Sequence, residues 1–366
     1  MRTREKTLAL ILLLLLHLPA FAEEVKESGD KPGDPELAKK VERNESFIGK
    51  LTKTKYLNLG AEFHGNLNMN TTDDGNDVTE AAFEVTRMYL TLKSTITDWL
   101  ETRTTLDFDR LPSDEEQPLF GYIKYAYFDV KPVSGLKLRF GQQSRAWIGM
   151  LDDMFGYRWV MKSPTDQLKY MSSADLGFSV IGEYFDGLLG FQLGALNGVG
   201  YKAPAPAEGV ESFLYEARVS LKPLVNRGEY ISGLGLHLVA ATDETLAETD
   251  DVRTNEFGGG VTYMSKYADL IFETISRSKD STDYKRELLY APSIALKYAG
   301  FALFGRYAVA MNENDTDKNV WSHLVAGLSY RPMEFFAVAL DYQEEMNKKW
   351  AESEDKRIFL NTLFKF

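Results

Sequence analysis

The sequence predicts an all-β fold: a transmembrane antiparallel β-barrel of about sixteen strands, with its third long loop folded inward. Three observations predict it. The last ten residues, RIFLNTLFKF, alternate with a period of two and stop on an aromatic. No segment after the leader has 18 consecutive apolar residues, yet aromatics abound, with 22 Phe, 19 Tyr and 5 Trp. Connections between strand-like segments alternate between short and long, as in barrels that cross a membrane.

In the terminal strand Ile358, Leu360, Thr362, Phe364 and Phe366 share one face, and Arg357, Phe359, Asn361, Leu363 and Lys365 the other. An exposed apolar edge strand invites aggregation, and closure into a barrel abolishes the edge.

Residues 1–22 read as a signal peptide. Arg2, Arg4 and Lys6 give a basic start, Leu8–Leu16 an uncharged apolar core, and Ala20-Phe21-Ala22 a small-x-small cleavage site. That core is too short to span a bilayer as a helix. No Cys follows it, which excludes a lipid-anchored Cys, thiol catalysis and Cys-ligated metals. Losing the leader moves the net charge from −12 to about −14, which argues against nucleic acid as a partner. Residues 23–53 are charged and poor in apolar side chains. They read as a polar periplasmic extension, with a short helix over Pro35–Asn44 that could serve as a plug or oligomerisation element. Residues 54–366 form the barrel.

Strands are expected over Tyr56–Asn68, Phe83–Ile96, Leu100–Asp109, Tyr122–Lys131, Leu136–Arg145, Leu176–Tyr184 and Leu188–Gly198. Nine more follow, near Phe213–Lys222, Tyr230–Ala241, Glu256–Met264, Ala268–Arg277, Glu287–Tyr298, Phe301–Ala310, Val320–Arg331, Glu334–Glu345 and Lys356–Phe366. An even count puts both chain ends on one side of the membrane. Tight turns are expected at Lys131-Pro132, Lys222-Pro223 and Arg331-Pro332, where Pro cannot continue a ladder, and at Phe185-Asp-Gly187 and Ala299-Gly300. The opposite set of connections is longer and acidic: Asp73–Glu80, Asp114–Glu116, Asp243–Asp251, Asp280–Asp283, Glu313–Asp317 and Glu344–Asp355.

The face opposite the apolar residues should line the lumen. It carries Arg87, Arg103, Lys124, Lys137, Arg139, Arg145, Arg218, Arg306 and Arg331, with Lys93, Lys222, Lys297, Arg357 and Lys365. Fewer acids fall there: Glu101, Asp107, Asp109, Glu183 and Glu216. A basic lumen favours anions. The alternative is that these cations pair with acids and only keep the lumen wet. Ala146–Ser173 breaks the period of two and is long enough to be functional. Folded inward it would narrow the pore, with Arg158, Lys162 and Lys169 set against Asp152, Asp153 and Asp166; the alternative is an external loop lying flat.

RMYLTLK at Arg87–Lys93, YIKYAYFDVKP at Tyr122–Pro132, LKLRFGQQ at Leu136–Gln143 and GEYFDGLLGFQLGALNG at Gly182–Gly198 together resemble the phosphate-selective porin O and P family of outer-membrane porins. The resemblance implies a sixteen-stranded, usually trimeric pore in the outer membrane, with Ala146–Ser173 as the inward third loop. It also implies an arginine ladder, for which Arg87, Arg139, Arg145 and Arg306 are the matching positions, and a lysine cluster at the constriction. In this chain the loop's Lys residues are scattered and three Asp interleave with them.

His64, His237 and His323 have no metal-ligand spacing, and Gly258-Gly-Gly260 inside a strand pattern fits close packing at the wall. The expectation is passive diffusion of small hydrophilic solutes, leaning to anions such as phosphate, with no catalytic residue, cofactor or metal. Lipid and lipopolysaccharide are the expected surroundings. One alternative is a barrel that sheathes a partner protein such as an electron-transfer cytochrome. Another is an outer-membrane enzyme, against which Ser322 and His323, as sequence neighbours, point to opposite faces of a strand.

Overall fold

The structure is a computed structural model, and it describes residues 56–71, 78–110, 119–202, 211–228, 233–246, 252–280, 285–312, 319–347 and 353–366. The signal peptide, the polar extension and most of each acidic loop lie outside the described residues.

Sixteen antiparallel strands close into one barrel, each paired with its sequence neighbours and the first with the last. The first eight are β1 (Leu57–Thr71), β2 (Val78–Thr97), β3 (Leu100–Arg110), β4 (Leu119–Val133), β5 (Leu136–Ser144), β6 (Ala174–Tyr184), β7 (Leu189–Leu196) and β8 (Glu211–Leu221). The rest are β9 (Leu234–Leu246), β10 (Val252–Met264), β11 (Ala268–Asp280), β12 (Lys285–Tyr298), β13 (Phe301–Asn312), β14 (Asn319–Met333), β15 (Phe336–Asn347) and β16 (Ser353–Lys365). Two helices interrupt the pattern between β5 and β6: α1 (Ala146–Phe155) and α2 (Pro164–Gln167).

The last residue takes part in closure. Phe366 and Ala61 exchange two backbone hydrogen bonds of 3.0 Å, and Phe63 lies opposite Phe364. Phe364 and Phe366 point outward and stay exposed, while Leu363 turns inward and is buried. The outward faces of the other strands are likewise apolar and exposed, as at Leu90, Phe140, Phe178, Leu238, Phe257 and Leu303. In a bilayer this band meets lipid, and pairing of the first strand with the last leaves no sheet edge against it.

Two expected turns are placed differently. β4 and β14 each run past their proline. Val133 still pairs Leu136, and Met333 pairs Phe336, because the register shifts and skips Pro132 and Pro332. Pro lacks an amide proton, and a bulge is where a ladder tolerates that. The connection at Lys222-Pro223 is not tight. It runs over 222–233, longer than its counterparts on the same rim, such as 299–300 and 334–335.

The core of this protein is inside the lumen. Trp147, Ile148, Leu151, Leu168, Tyr170 and Met171 of the β5–β6 connection pack on Val239, Ile271, Ile275 and Leu289 and on the small Ala291, Ala308 and Ala310. A second cluster sets Trp159 and Met161 against Ala295, Phe304, Val325, Ala337, Ala339 and Leu363. The wall from β9 to β16 is therefore apolar on its lipid face and carries apolar patches, with buried polar residues between them, on the face that meets the loop. Small residues on the inner face leave room for the loop's aromatics. At Gly260 even a methyl group would sit 3.3 Å from the tip of Trp147 and 2.7 Å from the Phe272 carbonyl oxygen.

Candidate functional site

The inward loop starts where β5 ends. Arg145 precedes α1 and is buried, donating from Nε to Glu216 (3.0 Å) and from Nη2 to Glu256 (3.3 Å). The Ala146 amide, one of the free donors at the helix start, also reaches Glu216, at 2.8 Å. Trp147 Nε1 and Thr165 Oγ1 both donate to Glu273. Helix α1 ends at Gly156, whose φ of 68° suits the left-handed cap. Farther along, Arg306 donates to the Lys162 carbonyl oxygen and lies 3.0 Å from His323 Nδ1. The loop is thus clamped to β8, β10, β11 and β13 by buried polar contacts as well as by its apolar core.

With the loop on that wall, the open part of the lumen faces β1–β5. Arg87, Arg103, Lys124, Lys137 and Arg139 gather here, but with acids among them. Arg87 pairs with Asp109 and, at 3.3 Å, with Asp107. Arg139 makes a two-bond contact with Asp129 (2.7 and 2.8 Å) and lies 3.8 Å over the Tyr127 ring, and Lys137 reaches the same carboxylate at 3.4 Å. Lys124 is buried, with Nζ 3.0 Å from the Tyr89 hydroxyl and 3.9 Å from Asp107. Arg103 rests 4.5 Å from the Tyr125 ring centre and donates to Thr105.

The expectation of few lumen acids is corrected in two ways. A register shift between Thr105 and Leu106 makes Lys124 an extra residue in β4, so Lys124 and Tyr125 both face inward and the phase flips. Asp129 then joins the lumen. Under the loop, Glu256, Glu273 and Asp341 are buried on a wall whose inner face mixes apolar and polar residues.

Arg158 spans the remaining gap. Its Nη1 and Nη2 bind Asp152 (2.7 Å) and Asp166 (2.8 Å), both on the loop, while Nε points at the Tyr89 hydroxyl across the channel, 3.5 Å away. One cavity of about 420 Å³ lies on one side of this contact, lined by Arg87, Lys162, Lys169 and Lys202 among others. On the other side lies a cavity of about 540 Å³, lined by Lys93, Arg103, Lys124, Asp152 and Asp153. Arg158 borders both. Lys162 and Lys169 are exposed to the first cavity, and Asp153 is exposed beside the second.

A second segment reaches in that the sequence did not flag. Residues 197–202, after β7, cross toward β3, where Tyr201 donates to Asp107 and Lys202 Nζ meets Asp109, both at 3.0 Å. Gly200 packs so closely on Ser172 that a Cβ there would lie 2.7 Å from its hydroxyl oxygen. The two glycines flanking Val199 were the available signal.

Of the other expected positions, Arg145 and Arg306 lie beneath the loop and hold it. Arg218 on β8 donates to Ser220 (2.7 Å), and Arg331 sits at the rim, donating to the Glu334 carbonyl oxygen (3.2 Å). Among the described residues no cluster of three metal-ligating side chains occurs.

This architecture defines the class: a sixteen-stranded outer-membrane β-barrel with an inward loop. No protein-family profile matches the chain, and no curated protein matches it in sequence. Solved structures do match in fold. The anion-selective porin from Comamonas acidovorans superposes with a TM-score of 0.62 at 11% identity, covering 85% of this chain and 99% of that one. The trimer form of Vibrio cholerae OmpT gives 0.60 at 14% identity, with 85% and 99% covered. Pseudomonas putida OprB gives 0.57 at 10% identity, with 88% and 96% covered. The fold is thus that of outer-membrane β-barrel proteins.

Proposed function

We propose that the protein is a passive porin for small hydrophilic solutes, leaning to anions such as phosphate, and that it works as a homotrimer in lipopolysaccharide-bearing membrane, without catalysis. The observation that carries this reading is the constriction. A loop arginine, Arg158, faces Tyr89 on the wall, and a polar cavity lies on each side. Between those cavities a solute exchanges its hydration for fixed charges and hydroxyls, which is how such pores select. Lys93, Arg103, Lys162 and Lys169 face the route without a salt bridge to a described residue and set the lean to anions. The paired cations, Arg87, Lys124 and Arg139, are offset by Asp107, Asp109 and Asp129, which keeps the lean modest.

A sheath for a partner protein fits poorly with a lumen half filled by the packed loop. For an enzyme, the nearest Ser–His contact among the described residues is Ser220 Oγ to His237 Nδ1, 2.9 Å, but both side chains are buried and Ser220 lies against Met150 beneath the loop.

Reversal potential across a planar bilayer under a KCl gradient tests the reading. Chloride-selective current that millimolar phosphate reduces is expected. Cation-selective current would remove the anion lean, and absence of conductance would remove the porin.

A further inference from the structure

Beneath the loop, on the rim side, lies a third cavity of about 860 Å³, and its chemistry differs from that of the charged channel. Its ceiling is aromatic: Phe155, Tyr157 and Trp159 come from the loop. Phe155 and Tyr157 have ring centres 5.0 Å apart, and Tyr157 and Trp159 lie nearly parallel, 19° between planes and 6.4 Å apart. The Tyr157 hydroxyl is held 3.4 Å from Ser329 Oγ. Opposite them the wall offers Ala302, Ser329 and Ala337, small residues that leave the space open.

Four charged groups border this cavity. Lys297 and Asp269 are paired at 2.7 Å, while Lys266 and Arg331 are left as surplus positive charge. Arg331, Gly156 and Trp159 also border the charged channel, so the two cavities meet under the loop. Flat rings above, small side chains below and net positive charge at the edge suit one kind of solute, a planar ring bearing an anion.

We propose that this chamber is a binding subsite for aromatic carboxylates. The ring lies against Tyr157 and Trp159, and the carboxylate is taken by Arg331. This deepens the porin reading by naming a solute class, and rests on it for transport, though not for binding.

The test compares sodium benzoate with sodium acetate at equal concentration. In a bilayer, KCl conductance is recorded first, which tests the porin reading alone. Benzoate added on the rim side bearing Arg331 is expected to reduce that current at concentrations where acetate does not. Arg331→Gln should weaken the reduction about tenfold, the loss of one charge-assisted hydrogen bond. Tyr157→Ala should weaken it similarly. Should Tyr157→Ala loosen the loop, Ala302→Leu fills the chamber from the wall and should have the same effect. Saturation-transfer NMR on the protein in detergent needs no conduction and should detect benzoate, not acetate, on the wild type and much less on Arg331→Gln. Equal behaviour of benzoate and acetate, or benzoate effects unchanged by Arg331→Gln and Ala302→Leu, would overturn the subsite. A channel that does not conduct but binds benzoate would overturn the porin reading and keep the subsite.

Discussion

Arg158 Nε and the Tyr89 hydroxyl stand 3.5 Å apart across the channel, and this contact is where the inward loop comes against the opposite wall. Arg158 does two things at once: it fills the gap, and it pairs with both Asp152 and Asp166. Replacing it with Ser should therefore raise single-channel conductance by about 1.5- to 2-fold and shift selectivity toward cations, because two carboxylates lose their partner. Higher conductance with unchanged reversal potential would mean that those carboxylates do not face the permeating ion.

Glu216 holds both the Arg145 guanidinium and the first amide of α1. Glu216→Ala leaves a buried arginine with Glu256 alone, and breaking such a pair costs about 3–5 kcal/mol. The loop should come free before the barrel opens. Limited proteolysis should then cut within 146–173 while the heat-modifiable barrel band persists on a gel. A variant as resistant as wild type would show that the apolar core alone holds the loop.

Gly260 offers a steric version of the same experiment. Gly260→Val pushes a side chain toward Trp147 and the Phe272 carbonyl. Overpacking of this kind costs about 1–3 kcal/mol, and the melting temperature should fall accordingly. The effect should shrink in a Trp147→Leu background, since the two changes share one contact.

Asp153 is the exposed carboxylate of the loop. Partial burial, and then the neighbouring Asp152 charge, push its pKa above the ordinary value. The sign follows: a raised pKa means that Asp153 picks up its proton at a higher pH than a free carboxyl does. As pH falls through that value the channel loses a negative charge and becomes more anion-selective. Asp153→Asn should show the low-pH selectivity throughout and lack this step. Reversal potentials across a pH series check it, and an identical titration in the variant would assign the step elsewhere.

Much of the barrel was legible because period-two patterning reports directly which face meets lipid. Each of the sixteen expected strands overlaps an observed one, with β9 beginning at Leu234 rather than Tyr230, and the closing strand RIFLNTLFKF splits into its two faces as read. The inward loop was legible as a break in that period. What was not legible lay where the rule behind the reading stops holding. In β4 a bulge at Lys124 flips the phase, so Asp129 was not among the acids placed in the lumen. In β11 the inner face of Ile271 and Ile275 is as apolar as the outer, so Glu273 between them gave no sign of its burial.

The sequence by itself determined the closed antiparallel sheet, the count of strands and the site of the inward loop. Each follows from alternation along the chain and from the need to leave no backbone group unpaired in lipid. Only the tertiary structure decided which cations are free to meet a solute. Arg145 and Arg306 read as pore-lining on the strand pattern; both are buried and clamp the loop, Arg145 at the border of the cavity beside Arg87 and Arg306 beneath the loop. Lys93, Arg103, Lys162 and Lys169 are left facing the channel. Pairing depends on which side chains meet across the lumen from residues as far apart as Arg145 and Glu256, and no local period carries that distance.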